Sequence, residues 1–417
     1  MLISRRIVMA AALAASTVLS TGASHAADGT IKMGVLATLE GAFTVLGEDA
    51  MRGAKLALQQ HDNKAGGKTI ELSTASSDAS PDSAVKAARK LVEQDGVEVL
   101  IGPLSGSEGI AVKDYSKTKP EVTFLNGSSA AQDTTLFDPS PNFFRFSTDG
   151  VQWMAGLGEY AYNEKGYKRV ATVAEDYSFP YSQVEGFMLP FCKLGGKVVA
   201  KSWVPIGNKD YSSVIASLPD DVDAIYVALG GADAVNFLTQ YQQAGGQAPL
   251  IGGSITVDQT VLSAKGNLKD ALIGTIAAGP TADTWDDPRW TKFVEAYKEA
   301  YPDGFPVPSL FAHAYYVNTE AALRALDEVN GDLSDGGKKF REALSKLEFD
   351  TPTGPVKVDK NRNGVANIFV TEVVESDDGH LVNKVIKVAE NVNQTLGEPE
   401  DEFLKIGPAS RDNPDCQ

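Results

Sequence analysis

The sequence predicts an α/β protein of two lobes, each built on a doubly wound parallel sheet. Three observations predict it. The chain has 417 residues, more than one ordinary domain. From residue 31 to residue 125, short apolar runs alternate with stretches of helical spacing, the pattern of right-handed βαβ units. The alternation breaks at the Pro- and aromatic-rich residues 138–149 and then restarts as a second set.

In chain order, residues 31–37 read as a buried strand. Residues 48–63 carry Met51, Ala54 and Leu58 on one helical face. A second strand at 69–76 precedes Ser80-Pro81, an N-cap and an N1 proline for a helix running to about residue 94. Strands follow at 97–101 and 122–125, with a helix between them. In the second set, 169–174, 197–204, 224–229 and 250–252 read as strands. Residues 181–194, 211–218 and 232–244 read as helices. Residues 288–330 look mostly helical. Beyond Gly354 two strands, 367–374 and 381–388, flank the hairpin turn Asp378-Gly379. The polar tail from Asn391 reads as a surface extension.

The first residues read as a secretory leader. Arg5 and Arg6 precede an apolar run, 7–19, too short to span a bilayer. Ser24-His25-Ala26 fits a small-x-small cleavage site. Ser4-Arg5-Arg6 also has a twin-arginine look, but the general secretory reading needs nothing further. No cysteine near the cleavage point offers a lipid anchor, and no later segment is apolar enough to cross a membrane, so the mature protein is expected in a periplasm. Formal charge is −17 before cleavage and more negative after Arg5 and Arg6 leave. That field repels phosphate backbones and anionic lipid, which argues against nucleic-acid binding. Cys192 and Cys416 are the two cysteines. In an oxidising compartment they can pair and tie the tail to the body, or remain two free thiols.

In open α/β sheets ligands bind beyond the carboxyl ends of the strands. That rule selects loops at 39–47, 103–109, 126–131, 175–182, 229–233 and 252–257. Their candidate contacts are Phe43 and Leu46, Ser105, Gly106 and Ser107, Ser128, Ser129 and Ala130, Tyr177, Phe179 and Tyr181, Gly230, and Ser254. Gly-Ser loops opening helices offer free N–H groups and hydroxyls to a carboxylate. Each loop taken alone is ordinary turn chemistry; the set at corresponding strand ends makes the site. Tyr177, Phe179 and Tyr181 alternate along what reads as an extended loop, so all three are expected on one face against an apolar or aromatic ligand end.

Other motifs are decoys. Gly156-Leu157-Gly158-Glu159-Tyr160-Ala161 matches a dinucleotide fingerprint but follows no strand, and reads as close helix packing. Asp359, Asn361, Asn363 and Gly364 resemble half a calcium loop, but Val370 stands where a bidentate Glu belongs. Gly252-Gly253-Ser254-Ile255-Thr256 lacks the last Gly of a nucleophile elbow. His61, His313 and His380 are far apart in sequence, with no metal-ligand spacing. No catalytic set, metal or cofactor is expected.

Ile31-Lys32-Met33-Gly34-Val35-Leu36, then Gly41, Gly47, Gly53-Ala54-Lys55-Leu56-Ala57 and Gly66-Gly67, resemble the opening of the periplasmic leucine/isoleucine/valine-binding proteins. Ile101-Gly102-Pro103-Leu104-Ser105, Gly195-Gly196, Asp210-Tyr211-Ser212 and Gly230-Gly231 extend the likeness to about Val388. The resemblance implies a type I binding-protein fold with three crossovers between lobes, expected near Asp149, Gly279 and Gly354. The layout is then a leader at 1–26, lobe one at 27–148 and 279–354, lobe two at 149–278 and 355–390, and a tail at 391–417.

The resemblance further implies a monomer without enzymatic activity that delivers a small molecule to the permease of an ABC importer. The ligand is a branched-chain amino acid, or an aromatic acid or amide. It places the α-carboxylate at Ser105–Ser107 and Ser128–Ala130, and matches a ligand-facing tyrosine to Tyr181. It also shows departures. The family's lobe-one disulfide falls on Ala79 and Ser105, its ammonium-holding acid falls near Gly253-Ser254, and its aromatic beside Gly230-Gly231 is missing. A ligand sensor would carry an output segment, and none is visible. A small-molecule hydrolase would show turnover of esters or amides.

Overall fold

The computed structural model describes residues 29–266 and 268–416. The candidate leader lies outside the described residues. Fifteen strands form two sheets among them. In the first, β1 (Thr30–Thr38), β2 (Lys64–Ala65), β3 (Lys68–Ser77), β4 (Val99–Ile101), β5 (Thr123–Leu125) and β6 (Phe143–Phe144) run in the order β2-β3-β1-β4-β5-β6. Pairs from β3 to β6 are parallel, and β2 is an antiparallel edge. Strand β1 is buried on both faces from Met33 onward, which is why its sequence is apolar rather than alternating.

The second sheet holds β7 (Arg169–Glu175), β8 (Lys197–Val204), β9 (Ala224–Ala228), β10 (Leu250–Gly252), β11 (Ile276–Gly279), β12 (Glu348–Thr351), β13 (Gly354–Val358), β14 (Gly364–Glu375) and β15 (Leu381–Val392). Strands β7 to β11 pair in parallel, while β14 joins β11 antiparallel and pairs β15 through the turn at Asp378-Gly379. The second sheet is therefore mixed, with the hairpin expected over residues 367–388 added to its parallel strands. The reason is local: a hairpin turn can only return the chain antiparallel.

After β11 the helices Pro288–Ala300, Leu310–Glu328 and Lys338–Lys346 pack back on the first lobe. Tyr315 donates its hydroxyl to the Leu36 carbonyl (2.7 Å), and Tyr297 donates to the buried carboxylate of Asp49. The Ser80 cap and the Pro81 start hold, with Ser80 Oγ accepting from the Ser83 N–H. The dinucleotide-like run packs as expected: a side chain at Gly158 would sit 2.6 Å from the Phe187 carbonyl. Asp359 closes a polar turn by accepting from the Asn361 and Asn363 N–H groups.

Between the sheets the crossing segments are laced together. Arg145, fully buried, donates to Asn363 (2.6 Å) and to the Ala131 carbonyl (2.6 Å), and lies 3.4 Å from Asp149. Gln152 donates to the Gly364 and Val392 carbonyls. The tail is more than a surface extension. Gln394 is buried and donates to Asp149 (2.8 Å), Phe403 packs on Leu136 and Val151, and Cys416 forms a disulfide with Cys192 at a Cα separation of 5.7 Å. Burial follows from partners more than 200 residues away, which a polar composition does not show.

Candidate ligand-binding site

The site grows from two helix starts that face each other across the lobes. After β4, Ser105 caps the helix Gly106–Ser116 through a capping box. Its Oγ accepts from the Glu108 N–H (3.4 Å), and Glu108 Oε2 accepts from the Ser105 N–H (2.8 Å) and from Thr38 Oγ1 (3.1 Å). Burial raises the pKa of the Glu108 carboxyl, against the pull of these donors. Ser105 is thereby fixed, and the first-turn N–H groups of Gly106 and Ser107 have no intrahelical acceptor. They sit at the positive end of the helix dipole. After β5, Ser128 comes alongside, its Oγ donating to the Leu104 carbonyl (3.3 Å).

From the second lobe, Tyr177 precedes the helix Ser178–Lys193 and Phe179 lies in its first turn. Phe179 meets Trp153 edge-on at 5.5 Å and lies 6.1 Å from Tyr177. Together Leu46, Leu104, Ser105, Gly106, Ser128, Trp153, Tyr177, Phe179, Ile255 and Phe311 line a nearly closed cavity of about 10 Å³ between the lobes. One end offers a helix N-terminus and two hydroxyls, whose protons rest on the Ala79 carbonyl (Ser105, 3.1 Å) and the Leu104 carbonyl (Ser128). The remainder is aromatic and aliphatic, and no lining side chain is charged.

The lobes touch around this cavity. A side chain at Gly106 would stand 2.7 Å from the Phe179 Cβ, so only glycine allows that approach. Ser107 Oγ meets Ser178 Oγ at 3.0 Å across the lip. Asp258 Oδ2 of the second lobe accepts from the Leu310 N–H (2.8 Å) of the first.

The structure brings Leu46, Ser105, Gly106, Ser128, Tyr177 and Phe179 together and separates the other candidates. Phe43 stands behind Tyr177, with ring centroids 6.1 Å apart. Ser129 Oγ is buried against Gly109, and the Ala130 carbonyl is occupied by the Gly150 N–H (2.7 Å). Gly230 supports Ile255 from behind. Ser254 accepts from Gln183 (2.7 Å) in a neighbouring small cavity that also holds Asp258 and Asp283. Burial raises the pKa of both acids, to about 6 and about 7.

Tyr181 is a correction. Its ring packs edge-on against Trp203 at 4.8 Å and its hydroxyl donates to Asp176, away from the cavity. The helix begins at Ser178, so the aromatics do not alternate along an extended loop. The turn of about 100° per residue separates Phe179 from Tyr181. Trp153, Ile255, Leu104 and Phe311 were not singled out from sequence. Leu104 and Ile255 lie inside loops that the strand-end rule selects, Trp153 follows the break between the lobes, and Phe311 reads as helix core.

Among the described residues no helix is long and apolar enough to cross a membrane, and no cluster of His, Cys, Asp or Glu is able to hold a metal ion. The sequence profile of the family described as "Periplasmic binding protein" matches residues 30–379. The chain belongs to the periplasmic binding protein family. This binding protein is 27% identical to Leu/Ile/Val-binding protein homolog 6 of Brucella melitensis, over 91% of its length and 96% of the relative's. It superposes on an ABC transporter substrate-binding protein from Sphaerobacter thermophilus with a TM-score of 0.79 at 29% identity, covering 88% and 99% of the two chains. A solute-binding protein of an ABC transporter from R. palustris, solved in complex with benzoate, matches with a TM-score of 0.79 at 25% identity, covering 87% and 97%. The binding protein thus has the type I periplasmic fold, two sheet-based lobes joined by crossing segments.

Proposed function

We propose that this protein captures a small carboxylate with an apolar or aromatic body in the periplasm and delivers it to an ABC importer's permease, acting as a monomer and without turnover. The observation that carries the ligand class is the cavity lining. Hydroxyls and first-turn N–H groups gather at Ser105, Gly106 and Ser128, and rings and aliphatic chains fill the rest. Three acids on the loops around the cavity are engaged elsewhere. Asp176 pairs with Arg411, Asp233 accepts from the Gly207 N–H, and Asp258 accepts from Leu310 and Thr260. An ammonium buried in this cavity would lack a partner, which is costly. The benzoate bound by the R. palustris protein has the chemistry the lining favours.

A second reading, a branched-chain amino acid, is favoured by Asp283 in the adjoining cavity, which is placed to receive an ammonium if the ligand spans both spaces. Titration calorimetry with benzoate, phenylalanine, 3-phenylpropionate, leucine and 4-methylpentanoate separates the two. The proposal expects the acids without an amino group to bind at least as well as their amino counterparts. Binding that requires the amino group assigns the site to amino acids, and hydrolysis of small esters or amides would overturn the binding reading itself.

A further inference from the structure

Behind the second-lobe wall of the cavity lies a pair of buried carboxyl groups that the ligand does not reach. Glu175 ends β7 and is fully buried. Its Oε1 accepts from the Gly230 N–H at 3.0 Å, and its Oε2 is sealed from solvent without a donor. The side chain that faces it is another acid, Asp233, in the first turn of the helix Gly231–Gln243. Asp233 in turn accepts from the Gly207 N–H at 2.6 Å. Two carboxyl groups buried side by side repel each other unless one carries a proton. The other groups facing the pair are Tyr177, on the loop after β7, and Tyr211, before the short helix Ser212–Ala216, with Glu108 of the first lobe reaching Tyr177. Among the described residues no lysine or arginine acts on either acid.

The backbone that Glu175 holds is a contact between the lobes. Gly231 has φ +50°, and a side chain there would meet the Ala42 carbonyl at 2.9 Å and Leu46 at 3.0 Å, both in the first lobe. Gly230 rests on Ile255, which lines the cavity. We propose that Glu175 is a positioning residue that holds the Gly230–Gly231 turn against which the first lobe closes on the ligand. The proposal rests on the reading of the cavity as the ligand site. Burial raises the pKa of Glu175 well above that of an ordinary carboxyl, and burial likewise raises Asp233, to about 6. Loss of the pair's proton leaves two buried charges side by side and drives the turn apart.

The test uses the whole protein and two variants, Glu175→Gln and Glu175→Leu. Glutamine keeps the bond accepted from Gly230 and carries no charge; leucine makes no such bond. Amide hydrogen exchange at residues 230–233 needs no ligand. Exchange is expected to be as slow in Glu175→Gln as in the wild type, and at least tenfold faster in Glu175→Leu. As pH rises through the range where the pair loses its proton, the wild type should loosen and Glu175→Gln should not. Benzoate and leucine then serve as probes, with affinity kept within about twofold by Gln and lost at least tenfold by Leu. If Glu175→Gln loosens the turn as Leu does, or if Leu leaves exchange unchanged, the proposal fails. If neither probe binds the wild type, the ligand reading fails while the exchange and pH arms still decide the role of Glu175.

Discussion

Arg411 grips Asp176 with two nitrogens across 235 residues of chain, its Nε 2.7 Å from Asp176 Oδ1, so the last residues are fastened beside the loop that supplies Tyr177. Trp203 donates to the Arg411 carbonyl (3.3 Å), and Cys416 closes the arrangement on Cys192. Cys416→Ser is expected to lower unfolding free energy by about 2–4 kcal/mol. Urea unfolding under oxidising and reducing conditions checks this: the variant should match the reduced wild type and not respond to reductant.

Ser128→Ala removes one hydroxyl from the carboxylate end of the cavity. A hydrogen bond to a charged group contributes about 1.5–3 kcal/mol, so affinity for benzoate should fall by about tenfold or more. Ser105→Ala should weaken binding similarly and also cost about 1 kcal/mol of stability, because Ser105 is an N-cap as well. Calorimetry paired with thermal unfolding separates the two effects.

Gly106→Ala places a methyl group 2.7 Å from Phe179 Cβ. The first helical position accepts alanine without strain, so the fold should survive while lobe closure does not. Small-angle scattering should show a larger radius of gyration with saturating ligand than the wild type has. A wild-type radius and affinity would remove Gly106 from the closing surface.

Glu185 sits buried in the helix Ser178–Lys193, both its oxygens without a donor, its pKa raised to about 8 by burial and then by the charges of Asp149 and Asp133. The folded state therefore holds a proton that the unfolded chain releases near the ordinary glutamate value of about 4.5. This contribution to stability is complete below that value and declines as pH rises toward 8. Denaturant unfolding from pH 4.5 to 8 should show that decline, and Glu185→Gln should flatten it.

Much of this architecture is legible in the chain. Apolar runs between helical stretches give the parallel strands, Ser80-Pro81 starts its helix, and Asp378-Gly379 turns its hairpin. The strand-end rule selects loops whose Ser105, Gly106, Ser128, Tyr177 and Phe179 line one cavity, because βαβ geometry places those loops together whatever their composition. It fails at Tyr181 because Pro180 reads as a loop residue, although proline in a first helical turn displaces no intrahelical bond. It also misses the helix Lys338–Lys346, and the tail, whose partners Asp149, Val151 and Cys192 are remote in sequence. Such pairings are fixed only when the chain is folded.

The lacing of the crossing segments bears on how specificity can change. Arg145, Asn363, Gln152 and Gln394 join three separate stretches of backbone into one seam, and none of them lines the cavity. Sliding one lobe over the other would break several buried bonds at once, whereas rotation about the seam spares them. With the cavity as the proposed ligand site, motion and recognition are written in different residues. Exchanging Phe311, Ile255 or Trp153 can retune what is carried while the mechanical stroke offered to the transporter stays the same.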